Sequence, residues 1–250
     1  MKRICLLIGV AVAIGAARPA AAAEINVAVA ANFTEAAKEI AAAFERKTGH
    51  KVVLSFGSSG QFYTQITQSA PFQVFLSADQ ERPEKTVAEG FGVPGSVFTY
   101  AVGKLVLWSR DPNLVKGDVT LGQGSFRKIA IANPVAAPYG AAAIETMKAL
   151  HVYDLLAPKL VQGNNITQTF QFIDTGNAEL GFVALSQIVD RNDGSRWVVP
   201  GKLHAPIKQD AVLLKTGAGS DAAKAFLDFL KGPEAAAVEA KFGYGTPESN

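Results

Sequence analysis

Apolar residues come in short continuous runs along this chain, and each of the first runs is followed by residues at helical spacing. Ile25-Asn26-Val27-Ala28-Val29-Ala30-Ala31 reads as a buried strand. Asn32-Phe33-Thr34-Glu35 has the form of a helix start, with Asn32 as cap and Glu35 able to reach back to it. Ala36, Ile40, Ala43 and Phe44 then keep a helical period until Gly49. Residues 51–56 predict a second strand ending at Gly57-Ser58-Ser59-Gly60, and Phe62 and Ile66 mark the helix after it. Val74-Phe75-Leu76-Ser77 predicts a third strand, closed by Ala78-Asp79. A βαβαβ rhythm calls for a parallel sheet covered by helices.

The texture changes near Phe98. Residues 99–108 read as one long extended segment, and 128–132 as a strand ending in Asn133-Pro134. Pro138-Tyr139-Gly140 leads into a helix over 141–150, and Asn164-Asn165-Ile166 opens another that carries Phe170 and Ile173. Residues 160–163 and 181–185 are strand-like, 205–214 is extended again, and 221–231 predicts a C-terminal helix. There is no low-complexity linker and no internal repeat. Two long extended segments bracket the middle block. They predict an α/β fold of two lobes joined by a pair of crossing hinge strands, the C-terminal helix returning to the first lobe. On this reading lobe 1 takes residues 24–101 and 211–250, and lobe 2 takes 102–210.

The N-terminus sets the cellular context. Met1-Lys2-Arg3, an apolar run from Ile4 to Ala17 and the small residues Ala21-Ala22-Ala23 form the pattern of a cleaved signal peptide over 1–23. The run is shorter than the roughly 20 residues of a spanning helix, so export to the periplasm is expected over a membrane anchor. The sole cysteine, Cys5, lies in this leader, which leaves the mature chain without disulfide or thiol chemistry. With 250 residues, 48% hydrophobic and 18% charged, the composition is that of a chain with a well-filled core. Losing Lys2, Arg3 and Arg18 takes the 24 Lys and Arg to 21, against 22 Asp and Glu. A near-neutral mature chain argues against nucleic-acid or anionic-membrane partners.

Four strand-to-helix junctions share one character: Ala31-Asn32-Phe33-Thr34, Gly57-Ser58-Ser59-Gly60, Ala137-Pro138-Tyr139-Gly140 and Asn164-Asn165-Ile166-Thr167. The first turn of a helix has unpaired N–H groups and a partial positive charge, and it binds oxyanions without a formal cation. In open α/β sheets, ligands lie beyond the carboxyl ends of the strands, where these junctions fall. No Lys or Arg occurs in 52–81 or 160–190, and the junction at 133–139 is also uncharged. Taken singly, each junction is equally a place where Asn or Ser caps a helix. Four of them in two lobes point to a cleft that holds an anion by neutral donors.

Catalytic readings have less support. Gly57-Ser58-Ser59-Gly60 lacks the spacing of a nucleophile elbow, so an exported hydrolase using Ser58 or Ser59 needs His and an acid brought in by the fold. His50, His151 and His204 adjoin no acid, no metal-cage spacing occurs, and Gly122-Gln123-Gly124 is an incomplete dinucleotide fingerprint. Asp79 and Glu81 read as solvated loop charges.

In order along the chain, several segments together resemble the periplasmic molybdate-binding proteins of ABC transporters. They are 27–34, Phe56-Gly57-Ser58-Ser59-Gly60, Phe75-Leu76-Ser77-Ala78-Asp79, Asn133-Pro134 through Pro138-Tyr139-Gly140, 175–181 and 231–236. The resemblance implies a type II two-lobed periplasmic-binding-protein fold closing on a tetrahedral oxyanion. It implies a monomeric receptor that is not an enzyme, needs no cofactor, binds molybdate or tungstate, and delivers it to a membrane permease. Carried over by position, Asn32 stands where a serine is common, Ser59 retains a serine, and Tyr139 and Ile166 offer backbone N–H groups. Ala31 adds a main-chain contact. No side chain bonds the metal directly. Many relatives place a tyrosine hydroxyl on the ligand from the strand occupied here by Gly181-Phe182-Val183-Ala184. Ala184 has none, and Tyr139 supplies the phenol from the opposite loop, as in a subgroup of the family. Sulfate is the alternative anion; phosphate, protonated at neutral pH, requires a buried acceptor that the junctions lack.

Overall fold

The computed structural model describes residues 22–246 and holds two five-stranded sheets, each covered by helices. The expected leader, apart from Ala22 and Ala23, lies outside the described residues, Cys5 with it. In lobe 1, strands β1 (Glu24–Ala30), β2 (Lys51–Gly57) and β3 (Val74–Leu76) are parallel and alternate with α1 (Thr34–Thr48), α2 (Ser59–Thr67) and α3 (Glu81–Ala88). The sheet is completed by β4 (Phe98–Gly103) and β10 (Ile207–Leu213), in the order β2-β1-β3-β10-β4, with β10 antiparallel to both neighbours. Lobe 2 runs through β5 (Leu105–Ser109), α4 (Val119–Gln123), β6 (Ile129–Ala132), α5 (Pro138–Ala149), α6 (Tyr153–Leu156), β7 (Leu160–Gly163), α7 (Ile166–Asp174), β8 (Leu180–Ala184) and β9 (Ser195–Val198). Its sheet has the order β7-β6-β8-β5-β9. Helices α8 (Asp221–Leu230) and α9 (Pro233–Lys241) close the chain on lobe 1.

The central strands of each sheet are buried on both faces, which is why they read as continuous apolar runs. Ile25, Val27 and Val29 of β1 face Phe33, Ile40, Phe44, Phe226 and Leu227. On the other face Ala28 packs with Phe62, Ile66, Phe75 and Val212. In lobe 2, Leu105, Leu107, Ile129, Ile131 and Phe182 meet Ala142, Ala143 and Met147 of α5. Val106, Trp108, Ala130 and Val183 meet Ile173 of α7 on the opposite face.

The strand pairing differs from the sequence expectation at the crossings. The segment 99–108 is not one strand: β4 pairs in lobe 1, β5 pairs in lobe 2, and the chain changes sheets at Lys104. It returns within 199–206. Val102 and Gly103, and likewise residues 207–210, therefore pair within the lobe 1 sheet, a few residues beyond the expected boundaries. A chain that stays extended while it changes partners leaves no break in its hydrophobic pattern. Helices α3 and α9 were not signalled by the periodicity. Both begin in polar, loop-like sequence, Gln80-Glu81-Arg82-Pro83 and Lys231-Gly232-Pro233-Glu234, and α9 takes Pro233 in its first turn.

Candidate functional site

Helices α2, α5 and α7, and the short 3-10 turn Ala31–Phe33 ahead of α1, all start at the carboxyl ends of strands. They meet between the lobes around one small, tightly closed cavity. Ala31, Asn32, Ser58, Ser59, Ala78, Tyr139, Asn165 and Ile166 are among the residues that line it. All five residues expected from the sequence, Ala31, Asn32, Ser59, Tyr139 and Ile166, are brought together here, and each is buried.

The local sequence decides which groups face the cavity. Ser58 caps α2, its Oγ accepting from Gln61 N at 3.4 Å while Gln61 Oε1 accepts from Ser58 N at 3.3 Å. Ser59, the first helical residue, is thereby left to the cavity. Its Oγ accepts the Ala78 N–H at 2.9 Å, so its own O–H remains to donate. Asn165 caps α7 through Gln168 N at 2.9 Å, and Ile166 follows as the first residue with an N–H that no turn of the helix uses. In α5 the first residue is Pro138, which has no N–H, so the first donor of that helix belongs to Tyr139.

Asn32 behaves differently from its expected role as a cap. It lies inside the 3-10 turn that precedes α1, no side chain caps that helix, and Glu35 pairs with Lys38 at the surface instead. The Asn32 side chain is 4% exposed and turns inward. Its Nδ2 donates to Gln209 Oε1 at 2.8 Å and to the Tyr244 hydroxyl at 3.2 Å. Its carbonyl accepts from Tyr244 at 2.7 Å and from Ser186 Oγ of lobe 2 at 2.8 Å. A buried amide must be satisfied by hydrogen bonds, and that demand outweighs capping here. Asn32 thus lines the cavity while its side chain and carbonyl are committed to the buried network.

Gln209, on the returning hinge strand β10, joins this network together. Its Oε1 also accepts from the Tyr100 hydroxyl at 3.1 Å, and its Nε2 donates to the Tyr139 hydroxyl at 3.4 Å. Tyr139 reaches over the end of β4, where a Cβ on Gly103 would stand 2.1 Å from the phenol oxygen. Only glycine leaves that space. Burial pushes the phenols of Tyr139, Tyr100 and Tyr244 above their usual range, so all three stay protonated. Tyr100 and Tyr244 donate within the network, and Tyr139, which accepts from Gln209, keeps its own O–H available to donate. Ala184, buried at the end of β8, does not line the cavity.

None of the lining residues is charged, and none is a histidine. Among the described residues no group of three or more His, Cys, Asp and Glu is placed to hold a metal ion. Asp79 is not a solvated loop charge: its side chain is 18% exposed and ion-paired with Arg82. Asp210, 3% exposed on β10, accepts from Thr99 Oγ1 at 2.7 Å, and burial raises its pKa. Gln209, Tyr100, Tyr244 and Ser186 escaped the sequence reading. One signal for the first was present, since Lys208-Gln209-Asp210 is a polar stretch in the middle of an otherwise apolar extended run.

Residues 25–245 match the family model of bacterial extracellular solute-binding proteins. The chain is 61% identical over 236 residues to the molybdate-binding protein ModA of Rhodobacter capsulatus, covering 94% of each chain. It is 53% identical over 241 residues to the ModA of Azotobacter vinelandii, covering 94% of this chain and 96% of that one. The solved structure of the Azotobacter vinelandii periplasmic molybdate-binding protein superposes with a TM-score of 0.87 at 42% identity, covering 90% of this chain and all of that one.

Proposed function

The chain belongs to the bacterial extracellular solute-binding proteins, a family of receptors and not of enzymes, and we propose that it captures molybdate between its two lobes. The observation that carries this reading is a buried cavity lined by neutral donors from four element starts, with neither a cation nor a carboxylate on its wall. The relatives named for molybdate supply the identity of the anion.

In this reading the tetrahedral anion is held by backbone N–H groups at Ala31, Asn32, Tyr139 and Ile166 and by the hydroxyls of Ser59 and Tyr139. No cofactor takes part. Partial charges at the helix starts offset the ligand's two negative charges, and closure of the lobes removes the water that would weaken them. Because the donors sit on rigid element ends, sulfate, the smaller anion, is left with longer hydrogen bonds; tungstate, of the same shape and charge, is accepted. Monohydrogen phosphate brings a proton that no carboxylate on the cavity wall can accept. A hydrolase built on Ser59 has no support, because neither a base nor an acid lines the cavity beside it.

The receptor works as a monomer that is exported to the periplasm by its leader over 1–23 and hands its anion to an ABC permease. A ligand that binds only the folded state raises the unfolding temperature with its concentration, by about 2.7 kcal/mol of stability at a hundredfold excess over Kd. Thermal unfolding with increasing molybdate tests the proposal: a concentration-dependent rise supports it, and a transition that ignores molybdate and tungstate contradicts it.

A further inference from the structure

The two sides of the cleft are held unequally. On the side lined by Phe56 and Gln171, hydroxyls alone reach across among the described residues: Thr167 Oγ1 donates to the Ala31 carbonyl at 3.5 Å and, next along the turn, Ser186 Oγ donates to the Asn32 carbonyl at 2.8 Å. On the opposite side the lobes touch backbone to backbone, Gly60 N donating to the Ala136 carbonyl at 2.9 Å. Beside that contact Arg82 Nη2, from α3 of lobe 1, donates to the Val135 carbonyl of lobe 2 at 2.7 Å. The other arm of the same guanidinium, Nη1, is ion-paired with Asp79. Asp79 is itself fixed, its Oδ1 accepting from Arg82 N at 3.0 Å and from Ser77 Oγ at 3.1 Å.

We propose that Arg82 is the clasp of the cleft, a positioning residue that holds the closed lobes over the bound anion and sets the rate at which it leaves. The inference rests on the receptor reading given above. Arg82 does not line the anion cavity, and Asp79 neutralises it, so it adds little pull on the ligand. Its second arm crosses to the other lobe and must break before the cleft opens. A guanidinium can serve two acceptors in different directions at once, whereas a lysine ammonium is a point charge on a flexible stem. Gly60 makes the clasp possible. A Cβ there would stand 2.9 Å from the Ala136 Cα, backbone that cannot move aside while the lobes are closed.

The test is the rate of molybdate release, measured by trapping with excess tungstate, alongside the association rate and ligand-free unfolding. Arg82→Gln should release molybdate about ten- to a hundredfold faster, the equivalent of one hydrogen bond to a charged group, while associating within about twofold of wild type. Arg82→Lys should recover only part of that loss. Gly60→Ala provides the second variant: it sits in the first turn of α2 without a left-handed backbone, so the ligand-free protein should unfold at the wild-type temperature or above. It should nevertheless release molybdate faster. Wild-type release rates in both Arg82→Gln and Gly60→Ala overturn the clasp, and full recovery in Arg82→Lys overturns its two-armed form. A wild type that binds neither molybdate nor tungstate is a different failure, one that removes the receptor reading and the clasp with it.

Discussion

Replacing Ser59 by alanine separates two roles that one oxygen performs. Ser59 Oγ accepts the Ala78 N–H at 2.9 Å, and Ser59 and Ala78 are 1% and 2% exposed. Removing that acceptor leaves a buried N–H without its partner, which costs about 1–3 kcal/mol of stability. The cost is paid whether or not the anion is present, so to first order it cancels from the binding equilibrium. In the proposed site binding loses a different contribution, the O–H that Ser59 would direct to the anion. Hydrogen bonds to charged groups contribute roughly 1.5–3 kcal/mol, which predicts a molybdate Kd about ten- to a hundredfold weaker. Denaturant unfolding of the ligand-free variant reads the first effect, and calorimetric titration reads the second. Lower stability with an unchanged Kd would show that the hydroxyl serves only Ala78, and would refute its place among the ligand donors.

Tyr139→Phe should also weaken molybdate binding by about tenfold or more, because a protonated phenol is lost while the Tyr139 backbone N–H survives; an affinity within about twofold of wild type, measured by the same titration, removes the phenol from the site. Binding should change little between low and high concentrations of a non-competing salt, since the cavity wall carries no formal charge for salt to screen, and a steep rise of Kd with salt contradicts that. Glu239 in α9 is 7% exposed, its Oε1 has no partner among the described residues, and burial raises its pKa from 4.5 to about 8. Between those values the folded chain binds a proton that the unfolded chain has released, so stability should fall with rising pH by up to ~1.4 kcal/mol per unit and level off above about pH 8. Glu239→Gln should remove that slope and be the more stable form at pH 8; urea unfolding at several pH values checks it, and an equal slope in both proteins refutes it.

The parts of this molecule legible in its sequence are those with a local cause. Apolar runs such as 25–31 are buried on both sheet faces and carry their own signal. Asn165 caps its helix because the cap needs only residues three positions away. The four junctions that meet at the cavity could be picked out because unpaired N–H groups at helix starts and the absence of lysine and arginine are both local properties. What escaped is set by partners remote in sequence. Asn32 has the local form of a cap, yet Gln209, Tyr244 and Ser186 claim its side chain and carbonyl from 154 to 212 positions away. Asp79 and Arg82, three positions apart, read as surface charges until the fold brings Val135 of the second lobe against them from 53 positions beyond Arg82. The change of sheet was expected at 101–102 and falls at Lys104, because pairing, unlike burial, leaves no periodic mark on a single extended segment.

Calorimetric titration of the ligand-free protein with molybdate, tungstate, sulfate and phosphate addresses the receptor reading most directly. The geometry predicts one site per chain, tight binding of molybdate and tungstate, much weaker binding of sulfate, and none of phosphate. Sulfate or phosphate binding as tightly as molybdate, or no heat with any of the four anions, would contradict it.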